Sequence, residues 1–249
     1  ADRIYRATSE SNTGATSMHP ARVAGAWPKQ LTDVYPDIEK MVRLVPFRRA
    51  IIKIGDQKFY NKQAFSTDSS FFDVFDFKLL TGNREQAFSQ PGRAFISRSL
   101  ATKYFGNINV IGKEISILHQ QVPEPKIYVI DGVMEDFPAN SHFHADMLTS
   151  YTSAEDQTNW AYTYFLLKPL TDADALRKTI QEKWEKDNPS GKPVPILHLQ
   201  KLTEIHLFSH KTREMEKNGD IRSIFLLVTG VFIILLIALI NFMNLNRVR

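Results

Sequence analysis

The chain has no cysteine. That rules out a disulfide framework and paired-cysteine zinc or redox motifs, and it fits an extracytoplasmic location and a reducing compartment equally well. Familiar catalytic signatures are missing too, since neither HExxH nor GxSxG occurs. The segment nearest to a phosphate loop, residues 106–114 (GNINVIGKE), has five residues between its glycines instead of four. It also carries Glu114 where a magnesium-binding Ser or Thr belongs. The sequence therefore predicts no catalytic residue, no cofactor and no ATP binding by this chain. A charge excess is lacking over most of the length. The net charge is +4, but three of the 31 basic residues (Arg222, Arg247, Arg249) flank the C-terminal apolar run, so 28 basic face 27 acidic residues before it, a net charge of +1. That balance excludes a nucleic-acid surface, which needs a clustered basic stripe.

What is present is one long apolar run. Residues 224–240 (IFLLVTGVFIILLIALI) carry no charge, and only Thr229 and Gly230 interrupt the aliphatic and aromatic side chains. The charge-free window spans residues 223–246; at 1.5 Å per residue about 24 residues reach ~36 Å, enough to cross a hydrocarbon core of ~30 Å. A buried helix of a soluble domain is usually shorter and polar along one edge, and the C-terminal position excludes a signal peptide. Arg247 and Arg249 beyond the run, against Asp220 and Arg222 before it, predict a cytoplasmic C-terminus and place everything before residue 224 on the far side. An exported domain that starts Ala1-Asp2-Arg3 needs a translocation signal upstream, so a removed preceding span is expected, as is a continuation past Arg249.

The remaining residues read as an alternation of strands and helices. Residues 2–8 (DRIYRAT) put Ile4 and Tyr5 on opposite faces, and their basic neighbours predict an edge or outer strand. Residues 9–20 are rich in Ser, Thr, Asn and Gly and read as a loop. Pro28 opens a short helix that stops near Pro36, and residues 38–45 fit a helix or a strand. A hairpin is predicted around Gly55-Asp56. Asp68 and Ser69 are candidate caps for a helix with Phe71, Phe72 and Phe75 on one face, with Phe77 starting an extended segment. Residues 94–96 read as a strand, Ser97 as a helix cap, and Leu100, Ala101, Tyr104 and Phe105 as the apolar face of a helix closed by Gly106. Residues 115–118 and 127–133 form a predicted hairpin. A strand over 162–168, a helix capped by Thr171 and Asp174 with Leu176, Ile180 and Trp184 on one face, and a strand over 194–202 make a βαβ or split βαβ unit. Residues 4–54 have the same order.

Two groups invite a chemical reading. The aromatic stretch 71–77 is either a ligand-stacking box or a helix plugging a small core, and core is the commoner use. His142, His144 and Asp146 would share one face of a strand and three such ligands hold zinc, but no fourth ligand or water-activating Glu stands at a recognisable spacing, so no metal is expected. Glu135 and Asp136 read as surface charge.

Several stretches taken together carry a resemblance: FFDVFDFKLLTGN (71–83), AFISRSLATKYFGN with VIGKEI (94–115), VIDGVMEDFPANSHFHAD (129–146), LTEIHLFS (202–209) and INFMNLN (240–246). In this order they resemble MacB-like, FtsX-like permease subunits of ABC transporters of the Bacteroidetes type. The resemblance implies an α+β fold: a porter-like βαβ subdomain (1–55 and 146–219), an inserted mixed α/β, sabre-like subdomain (56–145) and one transmembrane helix (220–246). It also implies an inner-membrane protein whose bulk is periplasmic, serving mechanotransmission for export. The implied partners are a cytoplasmic ABC ATPase subunit or domain, a second permease in a homodimer or heterodimer, and a periplasmic adaptor or outer-membrane protein. An extracytoplasmic sensor domain is the alternative with the same layout, and a membrane-anchored hydrolase is a third.

Overall fold

The computed structural model describes residues 2–13, 16–24, 26–47, 51–60, 63–118, 124–152, 159–188 and 194–247. In chain order the first elements are β1 (Ile4–Thr13), β2 (Thr16–Met18), β3 (Val23–Ala24), α1 (Ala26–Val34) and β4 (Ile38–Pro46). Then come β5 (Ile51–Ile54), β6 (Gln57–Tyr60), β7 (Ala64–Thr67), α2 (Phe71–Val74), β8 (Leu79–Thr81), β9 (Arg93–Ser97), α3 (Arg98–Phe105), β10 (Glu114–Leu118), β11 (Lys126–Met134) and β12 (Met147–Ser150). The last are β13 (Trp160–Leu167), α4 (Ala173–Lys186), β14 (Ile196–Lys201), a 3-10 turn (Leu202–Glu204), α5 (Ile205–Phe208) and α6 (Ile221–Arg247).

One end of the sheet has the strand order β14-β1-β13-β4, all neighbours antiparallel. Thus β1-α1-β4 and β13-α4-β14 are two interleaved split βαβ units, the ferredoxin-like arrangement. Period-two alternation sorts the side chains. On the helix-covered face Ala7, Phe165, Leu167 and Leu197 meet Leu31 of α1 and Leu176 and Ile180 of α4. Trp27 and Trp184 join the two helices edge to face, their ring centroids 4.9 Å apart. The opposite face carries Ile4, Val42, Leu44, Tyr162, Tyr164 and Leu166, and the aromatic stretch packs there: Phe71, Phe72 and Phe75 are all buried in this core with Phe88 and Phe143. The stretch is therefore a core plug and not a ligand box.

The sheet continues from β4 into β7 and then through β12, β9, β11, β10, β5 and β6. β7 runs parallel to β12 and β9 parallel to β11. Helix α3 lays Leu100 and Ala101 on Ile96, Ile115, Ile130 and Val133. Its ends are as the sequence predicts: Ser97 Oγ accepts from the Leu100 amide, and Gly106 closes the helix with φ +76°, a left-handed geometry that glycine adopts without steric cost. This turn, and the bond from the Gly112 amide to the Ile130 carbonyl, account for the two glycines of the false phosphate loop. Gly132, at a bulge of β11, lets the backbone approach closely, since a Cβ there would lie 2.5 Å from both Thr81 O and Phe95 Cε1.

Several expectations are corrected. Within the stretch read as a loop, residues 9–13 and 16–18 are strand, because β1 runs to Thr13 and β2 folds back on it; serine and threonine are as compatible with an extended ladder as with a turn. β1 is not an edge strand, since it is paired on both sides, with β14 and with β13. Residues 38–45 are strand. Neither Asp68 nor Ser69 caps α2, because the Asp68 carboxylate clasps buried Arg43 (Nη2 to Oδ1 2.6 Å). Asp172, and not Thr171, caps α4, taking both the Asp174 and Ala175 amides. The β5–β6 hairpin, by contrast, turns at residues 55 and 56 as the sequence predicts, and bonds through β5 to β10.

Candidate functional site

The candidate site is the segment that joins the folded domain to α6. After β14 the chain makes the 3-10 turn and α5, so the stretch 202–208 is helical and not an extension of the last strand. Residues 209–220 then run back across the open face of β14-β1-β13 before α6 begins.

This strap is pinned along its length. The Thr212 amide donates to the His19 carbonyl (3.1 Å) and its own carbonyl accepts from the Ala21 amide (2.9 Å). Tyr162 Oη donates to the Arg213 carbonyl (2.7 Å). Glu214 is held by Arg6, whose Nη1 reaches Glu214 Oε2 at 2.5 Å and whose Nη2 reaches Glu214 Oε1 at 2.9 Å, Gln200 Oε1 at 2.9 Å and Ser209 Oγ at 2.8 Å. Glu216 accepts from both the backbone amide and the ring Nδ1 of His144, at 2.9 and 2.7 Å. Asn218 Nδ2 donates to the Ser209 carbonyl (3.0 Å). Gly219 packs closely, for a Cβ there would meet Leu207 Cδ2 at 3.3 Å. Asp220 then caps α6, its Oδ1 accepting from the Arg222 amide at 2.9 Å.

Arg6 is wholly buried, and its side chain shares a strand face with Ile4. A buried guanidinium needs a carboxylate and further acceptors to repay its lost hydration; the strap supplies Glu214 and Ser209, and β14 supplies Gln200. Burial alone would raise the Glu214 carboxyl; the Arg6 hydrogen bonds and charge hold it below its ordinary value. Beside this pair His142 Nε2 and Tyr164 Oη are 2.9 Å apart, and the tyrosine hydroxyl faces Met215 Sδ at 4.0 Å. Burial, reinforced by Arg6, lowers the His142 imidazole to about 4, and burial pushes the Tyr164 phenol up.

The structure therefore uses His144 to hold the strap, whereas His142 bonds Tyr164 of β13 beside the Arg6–Glu214 pair. Both histidines lie in an irregular segment between β11 and β12, not on one face of a strand, and Asp146 sits against Gln63 and Ser97 through its backbone. The convergent histidine and carboxylate group among the described residues is a different one, Glu10, His19 and His198. Asp136 and Glu135 are tied to α3, through Ser99 and Arg98 respectively. Sequence reasoning missed Arg6, Gln200, Ser209, Glu214 and Glu216; the one available signal was an arginine two residues from Ile4, in phase with a buried face.

The strap's electrostatics predict acid lability. Unfolded, His142 and His19 take up a proton near pH 6.5; folded, burial keeps both neutral down to about 4. The unfolded state binds more protons between those values, so stability falls as pH drops from 6.5 to 4, by up to about 3 kcal/mol for His142. Glu214, whose folded pKa is lowered, adds a further loss below about pH 4.5. The melting temperature of the chain in detergent should fall steadily across this window, and less steeply in His142→Gln. A flat profile would refute the assignment.

Beyond the strap, Ile224–Asn246 is the one helix among the described residues long and apolar enough to cross a membrane, with mean hydropathy 2.9 and no part of it buried in the protein.

The model of the MacB-like periplasmic core domain matches residues 2–183. The chain belongs to this family. Among solved structures, a domain described as that of a permease protein from Porphyromonas gingivalis is similar at 25% identity and TM-score 0.63, covering 80% of this chain and 88% of that one. The periplasmic region of MacB from Actinobacillus actinomycetemcomitans shares the fold at 12% identity and TM-score 0.57, over 82% and 90% of the two chains. The extracellular domain of the noncanonic ABC-type transporter YknZ from Gram-positive bacteria does so at 13% and 0.55, over 79% and 99%. No curated protein matches. The MacB-like chain is thus the periplasmic-type domain of an ABC transporter permease, a mixed α/β fold followed by one apolar helix.

Proposed function

We propose that this chain transmits motion between an ATP-driven machine on one side of the inner membrane and a periplasmic domain on the other, and so serves the export of a substrate. The observation that carries the reading is the strap. Residues 209–220 are clamped to the domain by Arg6, His144 and Tyr162 and lead directly into α6. A helix that shifts or tilts pulls on a pinned segment, and through Arg6 it pulls on strand β1.

In this reading ATP is hydrolysed by a cytoplasmic ABC ATPase subunit or domain. Two permease subunits pair in the membrane, and a periplasmic adaptor or outer-membrane protein receives the substrate. The chain itself provides no catalytic group. We infer that a porter-like part comprises β1 to β4 with β13, α4 and β14, and that a sabre-like part runs from β5 to β12; pairing of the β5–β6 hairpin with β10 supports assigning β5 to the inserted part, where the sequence reading ended the first porter-like segment at residue 55.

The reading requires the domain and the ATPase to lie on opposite sides of the membrane. In the full-length permease, a reporter fused after Arg247 should be active as a cytoplasmic fusion and silent as a periplasmic one. The reverse pattern would place the domain with the ATPase and sink the proposal.

A further inference from the structure

We propose that Glu10, His19 and His198 form a binding site for a divalent transition-metal ion of the zinc type. The site lies beside the strap, and it does not depend on the transport reading. Three backbone segments build it. The β1–β14 ladder sets Thr8 opposite His198, so Glu10, two residues on, is its diagonal neighbour on the same face. The β1–β2 ladder pairs Ser11 with Met18, and one further step brings His19 opposite Glu10.

The donor atoms converge. Glu10 Oε2 is 3.3 Å from His198 Nε2 and 3.9 Å from His19 Nδ1, and the three ligand atoms all lie within 4.8 Å of one another. Tetrahedral zinc with nitrogen and oxygen ligands at about 2.0–2.2 Å separates its ligands by about 3.4 Å, so small side-chain rotations close the shell. The two imidazole rings are already stacked at a tilt, with centroids 4.6 Å apart. All three side chains are roughly one-third exposed, which leaves a route for the ion and room for water in the fourth position. Two histidines and one carboxylate suit zinc and its borderline neighbours, not calcium or magnesium.

The cations that face the cluster are Lys211, Arg6 and Arg177. Arg6 is neutralised by Glu214, and Arg177 has Asp174 at 3.8 Å. Lys211 is the one that matters: its Nζ lies 2.7 Å from His19 Nε2, and an ammonium can only donate. In the metal-free ring the single proton is therefore on Nδ1. To ligate through Nδ1 the ring must carry its proton on Nε2 instead, and it then has no lone pair for Lys211. Loading thus expels the Lys211 ammonium from His19, and Lys211 is next to Thr212, where the strap is bonded to the His19 and Ala21 backbone.

The test is zinc titration of the untagged 249-residue chain in detergent, by calorimetry after chelator dialysis. One zinc per chain with micromolar affinity is expected. His198→Ala should weaken it at least about tenfold, and so should His19→Gln. Lys211→Met should tighten it about tenfold, by removing a competing donor and a like charge. His198→Ala lies at a partly exposed position and should keep the parent's melting temperature without zinc, so loss of folding does not confound the result. No uptake at micromolar zinc, uptake that survives His198→Ala, or an affinity that Lys211→Met leaves unchanged or weakens would each overturn the proposal.

Discussion

Replacing Arg6 by methionine is expected to cost about 3–5 kcal/mol of stability, because it leaves the Glu214 carboxylate in place without its cation. Methionine fills similar volume, so little of the loss should come from a cavity. The loss falls on four bonds at once: the two to Glu214 and those to Gln200 and Ser209. For a domain of this size the melting temperature should drop by roughly 6–20 °C. Arg6→Lys should fall in between, since an ammonium cannot make the forked pair. The double variant Arg6→Met with Glu214→Leu should recover most of the loss, because a buried ion pair replaced as a unit by apolar groups costs little. Thermal melts of the chain in detergent measure all three. A single variant that costs less than about 1 kcal/mol would show that the pair behaves like a surface ion pair.

Lengthening the junction should separate ATP hydrolysis from transport. About ten Gly/Ser residues inserted after Gly219 leave every strap bond from Thr212 to Asn218 in place and add about 17 Å of flexible reach between the clamp and α6. In the restored transporter, ATPase activity should stay near that of the parent while the transport phenotype is lost. The reason is geometric. Gly219 is packed on α5 and Asp220 caps α6, so a displacement of the helix now meets a fixed anchor within one or two residues. The inserted coil would absorb that displacement. Transport at normal expression levels after the insertion would mean that coupling bypasses this junction. Loss of ATPase activity along with transport would mean that the insertion disturbs assembly and not transmission.

Much of the scaffold is readable from local patterns. Ser97 and Gly106 bracket α3, Leu176, Ile180 and Trp184 mark the face of α4, and the apolar run of α6 declares itself by length alone. The strand-helix-strand order at each end of the chain is also local information, and it leads to the split βαβ units. What could not be read depends on partners far away in sequence. Arg6 looks like a solvent-facing charge until Glu214, 208 residues later, is brought against it. Glu216 looks like one more surface acid until it meets His144, 72 residues earlier. Residues 209–218 have no periodicity because their order comes from side chains of β1, β13 and the 135–146 segment, not from a helix or ladder of their own. His142 and His144 were legible as a pair of interest, but strand spacing assigned them the wrong geometry. The Glu10, His19 and His198 group needs two ladder registers at once, which no window of sequence contains.

The position of β1 has a consequence for how the protein comes to be made. β1 is the first strand of the chain, yet its neighbours are β13 and β14, so that Ile4 waits for Leu166 and Arg6 for Gln200. At synthesis rates of 5–20 residues per second, roughly 10–30 s pass before the first of those partners exists. During that time residues 4–10 of β1 lack the strands that pair with them, with an arginine that has no counter-ion and an isoleucine that has no core. The aromatic plug faces the same delay, because Tyr162 and Tyr164 arrive with β13. Such long-range pairing makes for slow folding from an aggregation-exposed state. The emerging chain therefore calls for a holding factor or rapid export, and a protein stopped short of β14 would present an open sheet edge to its neighbours.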